Sequence, residues 1–128
     1  MRRFVPLVLM VAMALPTAAR AEDHPDAVTV FTREADDAYA AIRIPAIVQS
    51  KSGALLAFAE GRPVDHDHGK NDIVLRRSTD GGKTWGAVQV IAESGDDSLN
   101  DPCVIALSDP NRILAVYQRF PQGYHGRE

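Results

Sequence analysis

Residues 65–68 read Asp-His-Asp-His, two carboxylates and two imidazoles side by side. Imidazole and carboxylate both ligate zinc, so the first chemistry to weigh is metal binding. In an extended segment successive side chains point to opposite faces, so His66 and His68 would share one face without Asp65 and Asp67. No further His or Cys cluster completes a ligand set. No metal or other cofactor is therefore expected, and the histidines are read as tuning the loop's electrostatics or facing solvent. Arg43, in IRIPAI, offers a second chemistry. A guanidinium is a planar fork that matches a carboxylate bidentately. It can serve a ligand's carboxylate or pair with a carboxylate of the protein surface, and the residue alone leaves both open. Cys103 is the lone cysteine. Among apolar neighbours it reads as a small buried hydrophobe in a strand rather than a nucleophile, and it rules out an internal disulfide.

The elements that would position these groups belong to a chain of 128 residues, 24% charged, with a net charge of −3. That is one small globular domain at most, or a piece of a larger one. No basic stripe exists to bind nucleic acid. Arg2 and Arg3 precede the apolar run FVPLVLMVAMALP, and Ala19 and Ala21 stand at the small-residue positions of a cleavage site. This pattern predicts a signal peptide over 1–21, cleaved after Ala21, and a secreted or periplasmic product with no stable membrane insertion. An uncleaved N-terminal anchor is the alternative.

Beyond that segment the pattern is β throughout. AVTVFTR, IRIPAIVQ, ALLAFAEGR, NDIVLRRS and WGAVQVIA read as strands, with SKSG closing a hairpin. Residues 33–41 read as a loop. The later stretch NDPCVIALSDPNRILAVYQRF repeats the layout of IRIPAIVQSKSGALLAFAEGR, with LLAF answered by ILAV. In this comparison Arg43 before Pro45 corresponds to Asp101 before Pro102. A repeat unit of about four strands cannot bury both faces alone, and radial stacking gives a β-propeller. The expected domain over 22–128 is the N-terminal part of such a propeller. A complete small β-sandwich is the rival, and it leaves the repeat unexplained.

Residues 78–85, STDGGKTW, join two of these strands. Asp80 can accept bonds from the N–H groups that follow it. Gly81 and Gly82 can take positive φ, Ser78 and Thr84 can bond across the base, and Trp85 can pin the loop to the sheet. The role is structural. The stretch also matches the Asp-box S-x-D-x-G-x-T-W at Ser78, Asp80, Gly82, Thr84 and Trp85. Arg43-Ile44-Pro45 match the R-I-P motif of sialidases, with Ile42 where an aromatic is usual. With both motifs, in this order, the chain from Val28 to Tyr117 resembles the bacterial exo-α-sialidase family.

The resemblance implies an all-β fold, a six-bladed β-propeller of which only the first one to two blades are present. It implies a retaining glycoside hydrolase that removes terminal sialic acid from a glycoconjugate partner. Arg43 matches the first of three arginines that clamp the sugar carboxylate. Asp67 matches the acid/base residue, with Asp65 as the competitor under a shifted alignment. That carboxyl must protonate a leaving group and later deprotonate a water, which calls for a pKa lifted toward neutrality by desolvation. Gly61 and Gly69 suit a loop that positions it. Arg62 and Asp101 match groups facing the O4 and N-acetyl side; a strand-end arginine bonded to carbonyls and a plain Asp-Pro turn are the alternatives. The family's tyrosine nucleophile, its glutamate partner and two further arginines match nothing in this chain. A non-catalytic Asp-box propeller that binds glycans or proteins, a related glycosidase and a trans-sialidase remain alternative readings.

Overall fold

The computed structural model describes residues 27–32, 38–109 and 112–123. The expected signal peptide lies outside them. The described residues contain no helix. Their strands are β1 (Ala41–Gln49), β2 (Leu55–Arg62), β3 (Asp72–Ser78), β4 (Gln89–Ala92), β5 (Ser98–Ala106) and β6 (Ile113–Phe120). All pairings are antiparallel, in a four-stranded sheet of order β1-β2-β3-β4 and a two-stranded sheet β5-β6.

The valine- and threonine-rich stretch AVTVFTR differs from expectation, because residues 27–32 form no strand. Phe31 instead packs against Tyr39, Ala59 and Val74, and Arg76 donates to the Val30 carbonyl at 2.9 Å. Only Gln89–Ala92 of WGAVQVIA pairs with β3. The hairpin through residues 50–53 forms as read, closed by Ser50 N to Ala54 O at 2.8 Å.

Alternation along the two middle strands makes two cores. Phe58 and Ile73 point to one face and meet Leu99 of β5, so the two sheets share an interior. Ala59 and Val74 point to the other face and meet Tyr39. This is the period of two that a strand imposes. β2, flanked on both sides, is buried from Ala57 to Arg62.

The internal repeat is real in register but shifted by one residue from the sequence reading. β1 bulges between Arg43 and Ala46, and β5 bulges between Asn100 and Cys103. Ile44 has φ 48° and Asp101 has φ 55°. Each immediately precedes a proline, so Asp101 corresponds to Ile44, and Arg43 to Asn100. Proline has no N–H for the ladder and belongs at a bulge. Arg43 and Asp101 both stand within their strands. Cys103, read as buried, is exposed in β5, because that position points away from the Leu99 core.

Candidate active site

The β2–β3 connection and the two bulges meet at one end of the sheets. Arg62, the last residue of β2, has a side chain only 7% exposed. Its Nη1 donates to Asp67 Oδ1 at 2.6 Å, and its Nε and Nη2 donate to Glu60 Oε2 at 2.8 and 2.5 Å. It thus binds carboxylates, not strand-end carbonyls. Burial works against its charge, but the bonds to Glu60 and Asp67 outweigh burial and raise its pKa.

Arg43 lies opposite Glu60 in the ladder. Its Nε and Nη2 donate to the two oxygens of Asp65 at 3.1 and 2.7 Å. The Asp65 carboxylate, by hydrogen bond and then by charge, pushes the Arg43 pKa further up. The pair is about half exposed on both sides. The fork therefore already holds a carboxylate, supplied by the protein.

Residues 63–70 run through bends and turns, not an extended strand. The expectation that Asp65 and Asp67 face away from the histidines fails for that reason. Asp65, His66 and Asp67 all line one cleft with Arg43, Ile44 and Arg62, of about 430 Å³. An adjoining cleft of about 290 Å³ shares Ile44, Arg62 and Asp67, and adds Asn100 and Asp101. Among the described residues no three His, Cys, Asp or Glu side chains, these included, are placed to hold one metal ion together.

Asp67 presents a side chain 77% exposed, while its backbone is fixed. Its carbonyl accepts from Asn71 Nδ2 at 3.0 Å, Ser98 Oγ at 3.1 Å and Asn100 Nδ2 at 2.9 Å. Donors from β5 and from the loop's own end at Asn71 thus set the loop height. Gly69 lies inside this loop, where a Cβ would sit 3.0 Å from Val64. Gly61 is different from expectation: it is a buried strand residue, and a Cβ there would fall 2.7 Å from the Tyr39 ring. Tyr39 donates to Asp72 Oδ2 at 3.0 Å, and burial, then that bond, push its pKa up to about 12.

Glu60, Asn71, Ser98 and Asn100 were missed by motif reading. The signal available was a glutamate two residues before an arginine on one strand, which puts both on one face.

The 78–85 turn lies at the other end of β3, about 20 Å from Asp72 at ~3.4 Å per residue. Asp80 accepts from Ser78 Oγ at 2.7 Å, Thr84 N at 3.0 Å and Thr84 Oγ1 at 2.6 Å. These bonds, Thr84's first, hold its pKa far below the usual carboxylate range. Gly81 and Gly82 have φ 76° and 90°, and Trp85 Nε1 donates back to Gly82 O at 3.1 Å.

No family model matches the chain. Over 51 residues it is 53% identical to a sialidase of Micromonospora viridifaciens, covering 39% of this chain and 8% of that protein. Over 89 residues it is 38% identical to a Vibrio cholerae sialidase, covering 62% of this chain and 11% of that protein. The chain carries a sialidase-family stretch. It spans about a tenth of the length of these curated relatives. A solved structure, Hadza microbial sialidase Hz136, aligns with TM-score 0.46 at 34% identity, over 54% of this chain and 16% of that one. The four residues that the resemblance singles out, Arg43, Arg62, Asp67 and Asp101, all line the two adjoining clefts.

Proposed function

We infer that this chain supplies part of the active site of an exo-α-sialidase, built on a six-bladed propeller, that releases terminal α-linked sialic acid with retention. The observation that carries the reading is the convergence of Arg43, Arg62, Asp67 and Asp101 on clefts with a shared wall. The Arg43 fork takes the carboxylate of the sugar in place of Asp65. Asp67, held out from a pinned backbone, protonates the glycosidic oxygen as its bond to the anomeric carbon breaks. It then accepts a proton from the water that releases the sugar. Arg62 and Asp101 face the O4 and N-acetyl side. The tyrosine nucleophile, its glutamate and two more arginines come from other parts of the protein; sialidases depart in this way from the two-carboxylate scheme. Export through cleavage after Ala21 goes with this reading, and mass spectrometry of the mature protein should find Glu22 at its N-terminus.

The test is turnover of an aryl α-sialoside by the complete protein that carries this chain. Release of phenol with the α-anomer of sialic acid formed first is expected. Occupation of the Arg43 fork by Asp65 favours one alternative, a non-catalytic glycan-binding propeller. Sialoside binding without phenol release would establish it. Transfer to added lactose in place of hydrolysis would make the protein a trans-sialidase.

A further inference from the structure

Glu60 is a charged residue with a side chain 0% exposed. Both of its oxygens are used, and they are used by two different sheets. Oε2 accepts from Arg62 Nε and Nη2 at 2.8 and 2.5 Å. Oε1 accepts from the backbone N–H of Asp101 at 2.7 Å. Asp101 is a non-glycine residue in the left-handed region, φ 55°, ahead of a proline. Such a conformation persists only where surroundings over-determine it. The bond from its N–H to a buried carboxylate is one such constraint.

A buried ion pair is weak as a source of net stability, because desolvation offsets most of the attraction; its well-attested use is to fix one arrangement. Here the arrangement fixed is the site. Arg62 could rotate its guanidinium toward several acceptors on the exposed 63–70 loop. Two bonds to a single buried oxygen leave Nη1 as the group turned to Asp67. The same carboxylate holds the β5 bulge at a set distance from β2. Glu60 also lies opposite Arg43 in the β1–β2 ladder. One side chain therefore stands at the junction of all three elements that carry the candidate binding groups.

We propose that Glu60 is the positioning residue of this site, and that its carboxylate locks the orientation of Arg62 and the left-handed backbone of Asp101 together. Its side chain lies in the wall of the second cleft but is fully buried there, with both oxygens engaged, so it acts through those two residues. The proposal rests on the sialidase reading for its kinetic consequence but not for its structural one.

Glu60→Gln in the complete protein tests it. Glutamine keeps the volume but not the charge; its one oxygen, turned to the two donors of Arg62, leaves its NH2 facing the Asp101 N–H, donor against donor, so that amide loses its acceptor. Hydrogen exchange of the Asp101 amide should accelerate by about tenfold or more, while Ala59 and Val74 in the β2–β3 ladder keep their rates. On an aryl sialoside, KM should rise by about tenfold with kcat changed by less than about threefold, the size expected for one charge-assisted bond lost in binding. Arg62→Lys added to Glu60→Gln should raise KM no further than Arg62→Lys alone. Unchanged Asp101 exchange would overturn the proposal. So would uniform acceleration at all three amides, which marks a structural role only. KM effects of the two substitutions that multiply would overturn it too. If the wild-type protein turns over no sialoside, the functional reading fails, and the exchange measurement still decides Glu60.

Discussion

Asp65 and Asp67 are two residues apart and each holds a different arginine. The pairing gives them opposite consequences in the sialidase reading. Asp67→Ala removes the proton donor, so natural glycosides with poor leaving groups should lose on the order of a hundredfold or more in kcat/KM. An aryl sialoside, whose phenol leaves without much protonation, should lose far less. Equal losses on both, or the leaving-group pattern in Asp65→Ala instead, would move the acid/base role. Arg43 keeps its charge but loses its fork in Arg43→Lys, and KM should rise by about tenfold. The melting temperature should barely move, because a half-exposed pair with Asp65 contributes little. Asp65→Asn should act the other way. It removes the carboxylate that competes for the fork, and KM should fall about two- to fivefold. A rise in KM for that variant would show that Asp65 supports the substrate rather than competing with it.

The turn and the strands respond to other variables. The folded-state pKa of Asp80 lies below its unfolded value of 3.8. The folded chain thus binds fewer protons there than the unfolded one. The stability this group contributes is complete above pH 3.8 and is lost as pH falls through the folded value. Asp80→Asn should therefore melt lower than wild type by a constant gap from pH 7 down to about pH 3.8, and the gap should narrow only below that value; a gap unchanged in acid would mean the bonds matter but not the charge. Gly61→Ala tests β2. Its new Cβ would meet the Tyr39 ring at 2.7 Å, and overpacking of this kind costs ~1–3 kcal/mol. Moving Tyr39 breaks its bond to Asp72. A buried phenol that ionises only near pH 12 should then ionise at lower pH, read by absorbance near 295 nm (a wavelength taken as roughly that of tyrosinate).

The six strands form two unequal sheets, and their demands on further packing differ. The four-stranded sheet buries both faces of β2. On the two-stranded sheet Ile105, Leu114, Val116 and Tyr117 are all exposed. Two strands alone are marginal in water, and exposed apolar strands of this kind are a site for further pairing or packing. A propeller would supply it. Residues 22–128 expressed alone should give a shallow, non-cooperative urea transition, with β5–β6 amides exchanging before those of β2–β3. A sharp transition from a soluble monomer would defeat the propeller reading.

Much of this was legible along the chain because it is local. Ser78, Asp80 and Thr84 bond within a seven-residue span, so spacing alone announces the turn. Alternating apolar residues give β2 and β3, and the two prolines mark the repeated strands. The 78–85 turn and Arg43-Ile44-Pro45 carry the resemblance to sialidases, and through it Arg62, Asp67 and Asp101 are singled out. What spacing does not encode is register. Each inner strand bulges at its proline, so Asp101 corresponds to Ile44, and Arg43 to Asn100, in the repeat. Burial is equally invisible. Residues 27–32 have strand composition but form no strand, and Cys103 has apolar neighbours in sequence yet faces outward. The carbonyl of Asp67 meets Ser98 and Asn100, and the carboxylate of Glu60 meets the N–H of Asp101, across two sheets. Contacts between residues so far apart exist only once the sheets have packed on Phe58, Ile73 and Leu99, because it is that packing which brings their polar ends within hydrogen-bond reach.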